Sequence, residues 1–424
     1  MRRFSELSFY FVIFWISMVS VNKVSAIIQP GDSLMSELAN VPKDKKVDYL
    51  LSVLEQTKEL PTQNAIQYAG EALVWAEQLN NIQDQAQVLN FLGNSYYSMS
   101  NFEQALAYYQ QALKFTMRLG NRAEIANLMQ KIGLVYFNSG DNKKALLYYE
   151  QTLKIFQELQ FSMREAELLT SIGSIYFQWQ EFQKAYDSYN LAFNIYSTLE
   201  YLPSIVNLNY LKGYSLFKLK DYNAALTCYN NALEANNKVE NKIESSKLNN
   251  AIGQLYMELK EYKQALSYFT KAYKIQELEN DKIVLAQSLN NLGCVYRELG
   301  DYKKAKEHFT QSLTISQELG LNLTKMDNYQ SLYELYFVQN ESKTALEYYQ
   351  KYVQLRDSVF KNNPNIDISP SSETLQNEKL QLKKQLVFNT KIMKSIAGGA
   401  FGIIVILLFI IFRLRSQIEK SKKN

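Results

Sequence analysis

A fixed interval of forty residues organises most of this chain. Gly93, Gly133, Gly173, Gly213, Gly253 and Gly293 keep it, and the register continues to Tyr333, where glycine is lost. Alanine keeps the same interval from Ala65 through Ala105, Ala145, Ala185, Ala225, Ala265 and Ala305 to Ala345. An aromatic series runs Tyr109, Tyr149, Tyr189, Tyr229, Phe269, Phe309 and Tyr349. Self-similarity at such a period specifies helical hairpins stacked into a solenoid, and it makes binding rather than catalysis the expected role.

One repeat shows the local logic. In 286–313, apolar or small residues fall at Leu289, Leu292, Gly293 and Tyr296, then at Tyr302, Ala305, Phe309, Ser312 and Leu313. These are helical spacings on either side of Gly300-Asp301. Gly300 suits a left-handed helix stop, and Asp301 suits an N-terminal cap. Asn101, Asp141 and Asp221 take the cap position in other repeats, with Glu181 and Glu261 in two. The small residues let helix backbones approach, and the bulky aromatic is expected to fill the space between hairpins. Six prolines and fifteen glycines in 424 residues agree with an all-α chain.

The pattern resembles the tetratricopeptide repeat. Leucine-glycine, a tyrosine three residues on, then alanine, aromatic and alanine in the second helix are met by Leu92, Gly93, Tyr96, Ala105, Tyr109 and Ala112. Leu292, Gly293, Tyr296, Ala305 and Phe309 meet it again, with Ser312 in place of the last alanine. The resemblance implies a right-handed superhelix of about eight hairpins over 44–361. The family period is about 34 residues, so forty here means longer helices or longer loops. The first hairpin lacks the glycine and the last has Tyr333, as terminal caps would.

The two ends carry other signals. Met1-Arg2-Arg3, an apolar stretch from Phe9 to Val21 and Val24-Ser25-Ala26 read as a signal peptide over 1–26, with an uncleaved anchor as the alternative. Residues 27–43 then form an N-terminal linker. Ser395 to Phe412 carries no charge, enough for a helix of about 27 Å. This predicts a transmembrane helix at 395–412 and a basic cytoplasmic tail at 413–424. Between solenoid and span, 362–374 reads as a polar linker and 375–394 as a juxtamembrane helix or short coiled coil. Gly398 and Gly402 form a GxxxG pair through which two spans could pack as a homodimer. Together these features predict a single-pass protein of the bacterial cell membrane with its repeats extracytoplasmic (periplasmic).

Nothing in the chain assembles a reaction centre. The one histidine, His308, stands where Tyr108, Tyr148 and Tyr268 stand in other repeats, so packing is its expected role. One histidine offers no cluster for a metal, and no metal or cofactor is expected. Cys228 and Cys294 lie two hairpins apart, too far for a disulfide if hairpins stack, and read as small apolar fillers. A net charge of +4 without a basic, aromatic-interleaved patch argues against nucleic acid. The expectation is therefore a non-enzyme.

The tetratricopeptide resemblance also implies where a ligand binds: on the first helices, three residues before the glycine, one after it and four after it. The first position gives Asn90, Tyr210, Asn250 and Asn290 among others, side chains of which the amides can both donate to and accept from a peptide backbone. The last gives Tyr97, Phe137, Phe177, Phe217 and Arg297. A groove holding a protein or extended peptide partner follows, with core packing as the alternative reading of the aromatics. The whole plan resembles the exported sensor half of bacterial sensor kinases and membrane-bound regulators. That implies a scaffold, with a role as input module in signal transduction, or a truncated sensor lacking its output domain.

Overall fold

The computed structural model describes residues 38–56, 63–279 and 281–362, with Lys384 and Val387. Sixteen α-helices lie within the described residues, which contain no strand. The chain divides into two compact units, Met1–Ala251 and Ile252–Asn424, with the division falling in the eleventh helix. The first unit holds α1 (Lys46–Gln56), α2 (Gln63–Gln78), α3 (Ile82–Ser98), α4 (Phe102–Leu119), α5 (Arg122–Asn138), α6 (Asn142–Glu158), α7 (Ser162–Gln178), α8 (Phe182–Thr198), α9 (Leu202–Lys218) and α10 (Tyr222–Val239). It ends within α11 (Lys242–Glu258). The second unit holds α12 (Tyr262–Glu279), α13 (Lys282–Glu298), α14 (Tyr302–Glu318), α15 (Asn322–Val338) and α16 (Ser342–Asn362). Odd-numbered helices are the first, and even-numbered ones the second, of eight hairpins.

The long period comes from the helices. From α3 to α15 each has 17 or 18 residues, and neighbours are joined by short turns, most of one design; α4 and α10 instead end directly on the left-handed Gly120 and Glu240. At the joint after α13, Gly300 adopts φ 79°, its N–H donates to the Arg297 carbonyl, and the Asp301 N–H donates to the Tyr296 carbonyl. This pair of bonds occupies carbonyls that a helix end leaves open. Among the described residues, left-handed residues fall at twenty-position intervals from Asn80 to Lys260 and from Gly300 to Asn340. Most of them are not glycine, so the joint is fixed by geometry more than by residue type.

The next helix then begins on a side-chain cap. Asn101, Asp141, Asp221 and Asp301 each accept a backbone N–H from the first turn, as expected, and Asn81, Asn121 and Asp281 cap first helices likewise. Glu181 differs: its longer side chain makes no cap bond and pairs instead with Lys184.

The glycine and aromatic series meet inside each hairpin. A Cβ on Gly93 would lie 2.4 Å from the Tyr109 ring, and one on Gly133 would lie 2.6 Å from Tyr149. Sixteen residues separate each pair, so the ring covers the glycine of its own hairpin as well as facing the next one. Tyr109, for example, packs in one core cluster with Leu128 and Ile132 of α5. The terminal hairpins solve the same contact differently. In the first, Val53 replaces the glycine and the buried Ala69 replaces the ring. In the last, Tyr333 meets Tyr349 edge-on at 5.4 Å.

The membrane location inferred from sequence is corrected. No helix among the described residues is long and apolar enough to cross a membrane. The single-pass, periplasmic assignment rested on 1–26 and 395–412, both outside the described residues. So are the linker 27–37, nearly all of 362–394, the tail and the Gly398–Gly402 pair.

Candidate functional site

Successive first helices lie side by side, and the residues that join them make up one face in each unit. On the first unit's face, α3 and α5 share a polar cluster. Asn90 donates to Glu124 at 3.2 Å and accepts from Lys131 at 2.7 Å, while Asn127 donates to the other Glu124 oxygen at 3.2 Å. Burial holds the Lys131 ammonium below the usual lysine range, with Glu124 opposing the shift. Tyr97 accepts a hydrogen bond from Asn138, and its ring lies 5.9 Å from Phe102. Phe137 packs at the margin of the core cluster around Tyr149.

Toward α9 the same face becomes aromatic. Phe177 stacks on Tyr214 at 4.9 Å, Tyr210 lies 6.1 Å from Tyr214, and Phe217 lies 6.4 Å from it. Three of the residues picked out in the sequence thus converge on a fourth, Tyr214. It occupies the position one after the glycine, where the other repeats carry Asn94, Leu134, Ser174, Gln254, Cys294 and Glu334. Its singularity within that row was the available signal. Phe177 and Phe217 are half-buried, while Tyr210 and Tyr214 are 7% and 5% exposed. Lys247 places its ammonium 4.0 Å from the Tyr210 ring centre, showing that this π-face accepts a cation. Asn250, one turn along from Lys247, is half-buried.

The second unit treats the equivalent positions differently. Asn290 is 1% exposed, and its Oδ1 has no hydrogen-bond partner among the described residues. Arg297 forms ion pairs with Glu298 and with Glu334 of α15, and Gln330 donates to Glu334 at 3.0 Å. Burial works against that guanidinium charge, yet Cys294, Glu334 and Glu298 together hold its pKa above the ordinary value. Arg297 is therefore committed to internal carboxylates.

His308 stacks on Tyr296 at 5.3 Å with 8° between the planes, in the place of the Tyr96–Tyr108 and Tyr136–Tyr148 pairs. Burial lowers its pKa, with Glu307 opposing. Both cysteines are free thiols. Among the described residues, no group of three or more His, Cys, Asp or Glu side chains is placed to hold a metal.

Comparison with known proteins agrees with this architecture. The tetratricopeptide repeat model matches residues 84–158, 124–198, 204–277 and 243–318, together more than half of the chain. No curated protein matches the sequence. Among solved structures, a tetratricopeptide repeat protein from Parabacteroides merdae is 17% identical with a TM-score of 0.51, covering 70% of this chain and 98% of its own. The apo form of RapI is 16% identical, also with a TM-score of 0.51, covering 65% of this chain and 99% of its own. These matches give no support to a sensor-kinase relationship. With its forty-residue hairpins, the glycine–ring contact inside each and the matched repeats, the chain belongs to the tetratricopeptide repeat family.

Proposed function

We propose that the chain is a non-enzymatic scaffold that captures an extended segment of a partner protein on the first-helix face of its first unit. The tetratricopeptide fold is generally a non-catalytic protein-interaction scaffold, which sets the class of function. The observation that carries the reading is the ring cluster of Phe177, Tyr210, Tyr214 and Phe217, beside a row of polar side chains. The half-buried edges of Phe177 and Phe217 would receive an apolar or aromatic side chain. Asn250, Asn90 and Tyr97 would meet the backbone of the bound segment, with Phe137 between the two regions. Such side chains bond a peptide backbone with little regard to its sequence, while the ring pocket supplies selectivity. Asn290 and Arg297 are left to the packing of the second unit. A role as a signalling input module is compatible with partner capture and adds no residue to the site.

The test is selection of a displayed random-peptide library on the purified protein, followed by calorimetry. Replacing Phe177 and Phe217 by Ala should weaken the selected peptides at least about tenfold, or about 1.4 kcal/mol. Asn250→Ala should weaken them while leaving the melting temperature nearly unchanged. Peptides that bind both variants as well as the parent would place the site elsewhere.

A further inference from the structure

Four rows of the repeat depart from their usual residue at one place, and two of the departures are positive charges. Among the first helices from α3 to α15, the row three before the glycine is aromatic only at Tyr210, and the row one after it only at Tyr214. The row five after the glycine has Ser98, Asn138, Gln178 and Glu258, but Lys218 in α9, its one basic residue. The row six before the glycine has Asn127, Glu167, Asn207 and Asp327, but Lys247 in α11, likewise its one basic residue. Neither lysine row is among those that the tetratricopeptide resemblance marks for ligand contact.

The two lysines meet the two singular rings. The Lys247 ammonium lies 4.0 Å from the Tyr210 ring centre, and that of Lys218 lies 5.4 Å from the Tyr214 ring centre. Carboxylates are scarce beside them. α9 contains no Asp or Glu, and α7 contains none after Glu167, which pairs with Arg164 of its own helix. Glu244 bonds to Lys247 at 3.0 Å, and both side chains are 21% exposed. An ammonium has three donors, so Lys247 stays within reach of a second acceptor. A π-face that already carries an ammonium repels a further cation and draws an anion to its margin.

We propose that the segment captured at the ring cluster is acidic, an inference that rests on the peptide-capture reading of that site. Its anchor is an apolar or aromatic side chain, with Asp or Glu two residues before or after. Side chains on an extended chain alternate in direction, so residues i and i+2 project to one side about 6.6 Å apart. The Tyr210 and Tyr214 ring centres are 6.1 Å apart, a comparable spacing. An anchor seated on the rings thus brings a carboxylate at i+2 or i−2 to Lys218 or Lys247. The acids are side chains within the segment, and no chain terminus is needed. A basic segment would set like charges together, which selects against it.

The test uses the full chain and a displayed random-peptide library, each selected peptide being resynthesised with Asn for Asp and Gln for Glu. Selected sequences should carry Asp or Glu two residues from the anchor, and their amide versions should bind at least about fivefold more weakly in calorimetry. Raising salt from about 50 to about 300 mM should weaken the acidic peptides and leave the amide versions nearly unchanged. Lys218→Met and Lys247→Met keep an aliphatic stem over each ring, and together they should close the gap between acidic and amide versions. Replacing Phe177 and Phe217 by Ala should weaken both versions. Selected peptides that are neutral or basic about the anchor would overturn the proposal, as would acidic ones that either the amide exchange or the lysine variants leave unchanged. In those cases a loss on replacing Phe177 and Phe217 would still uphold the site. Peptides indifferent to that replacement, or a library that yields none, would overturn the site and the proposal with it.

Discussion

Each repeat glycine is small because a ring occupies the place of its side chain. The Tyr149 ring leaves no room for even a methyl group on Gly133, and the ring is itself buried on all sides. Gly133→Ala should therefore cost about 1–3 kcal/mol in urea denaturation, as overpacking does. The joints show the opposite case. Lys220 sits at φ 66°, a conformation that costs an L-residue about 1–2 kcal/mol, of which the flexibility of glycine in the unfolded chain returns about half. Lys220→Gly should accordingly stabilise the protein by about 0.5–1 kcal/mol in the same assay. The glycine, alanine and aromatic rows were plain in the sequence, but spacing alone did not say whether a ring covers its own glycine or only faces the next hairpin. Apart from glycine stops such as Gly300, the left-handed positions were hidden, because among the described residues nine of them carry other residues and four carry glycine.

A helix here is defined by its ends as much as by its buried stripe. Asp301 accepts the Lys304 N–H at 3.2 Å, and Asn101 does the same task at the start of α4. Asp301→Ala should lose about 1 kcal/mol, whereas Asp301→Asn should keep most of it. The stacked pair between α13 and α14 adds a pH signature. Burial holds His308 below its ordinary value of 6.5, so its contribution to stability is present above that value and is lost as pH falls below it. His308→Tyr, the residue of the sister pairs, should flatten that part of the stability–pH curve while leaving the helix content unchanged by circular dichroism. Helix starts were legible from Asn and Asp; Glu181 was not, because its reach favours Lys184 over the backbone. The choice between longer helices and longer loops needed the structure, since both give the same period.

At the scale of the molecule, stability of a hairpin stack is a sum of units and nearest-neighbour contacts. Excising residues 121–160 removes α5 and α6 and sets α7 against α4, a first helix against a second helix as before. That protein should remain helical and unfold cooperatively. Excising 121–140 alone takes Gly133 away from Tyr149 and sets two second helices together, so it should lose helicity or melt far lower. The fold was thus legible from repetition, which many positions report at once. The candidate site was legible only in part. Tyr210, Phe177 and Phe217 could be placed by register, but that Glu334 claims Arg297, or that Asn290 is sealed off, depends on residues a hairpin away. The left-handed joint that recurs at twenty-residue intervals among the described residues also has a genetic meaning. Because hairpin boundaries all turn through a short joint at the same register among the described residues, misaligned recombination between two copies of the repeat can add or remove a whole hairpin with little change at the seam. The reach of the binding face is then free to vary in whole steps among descendants of one gene.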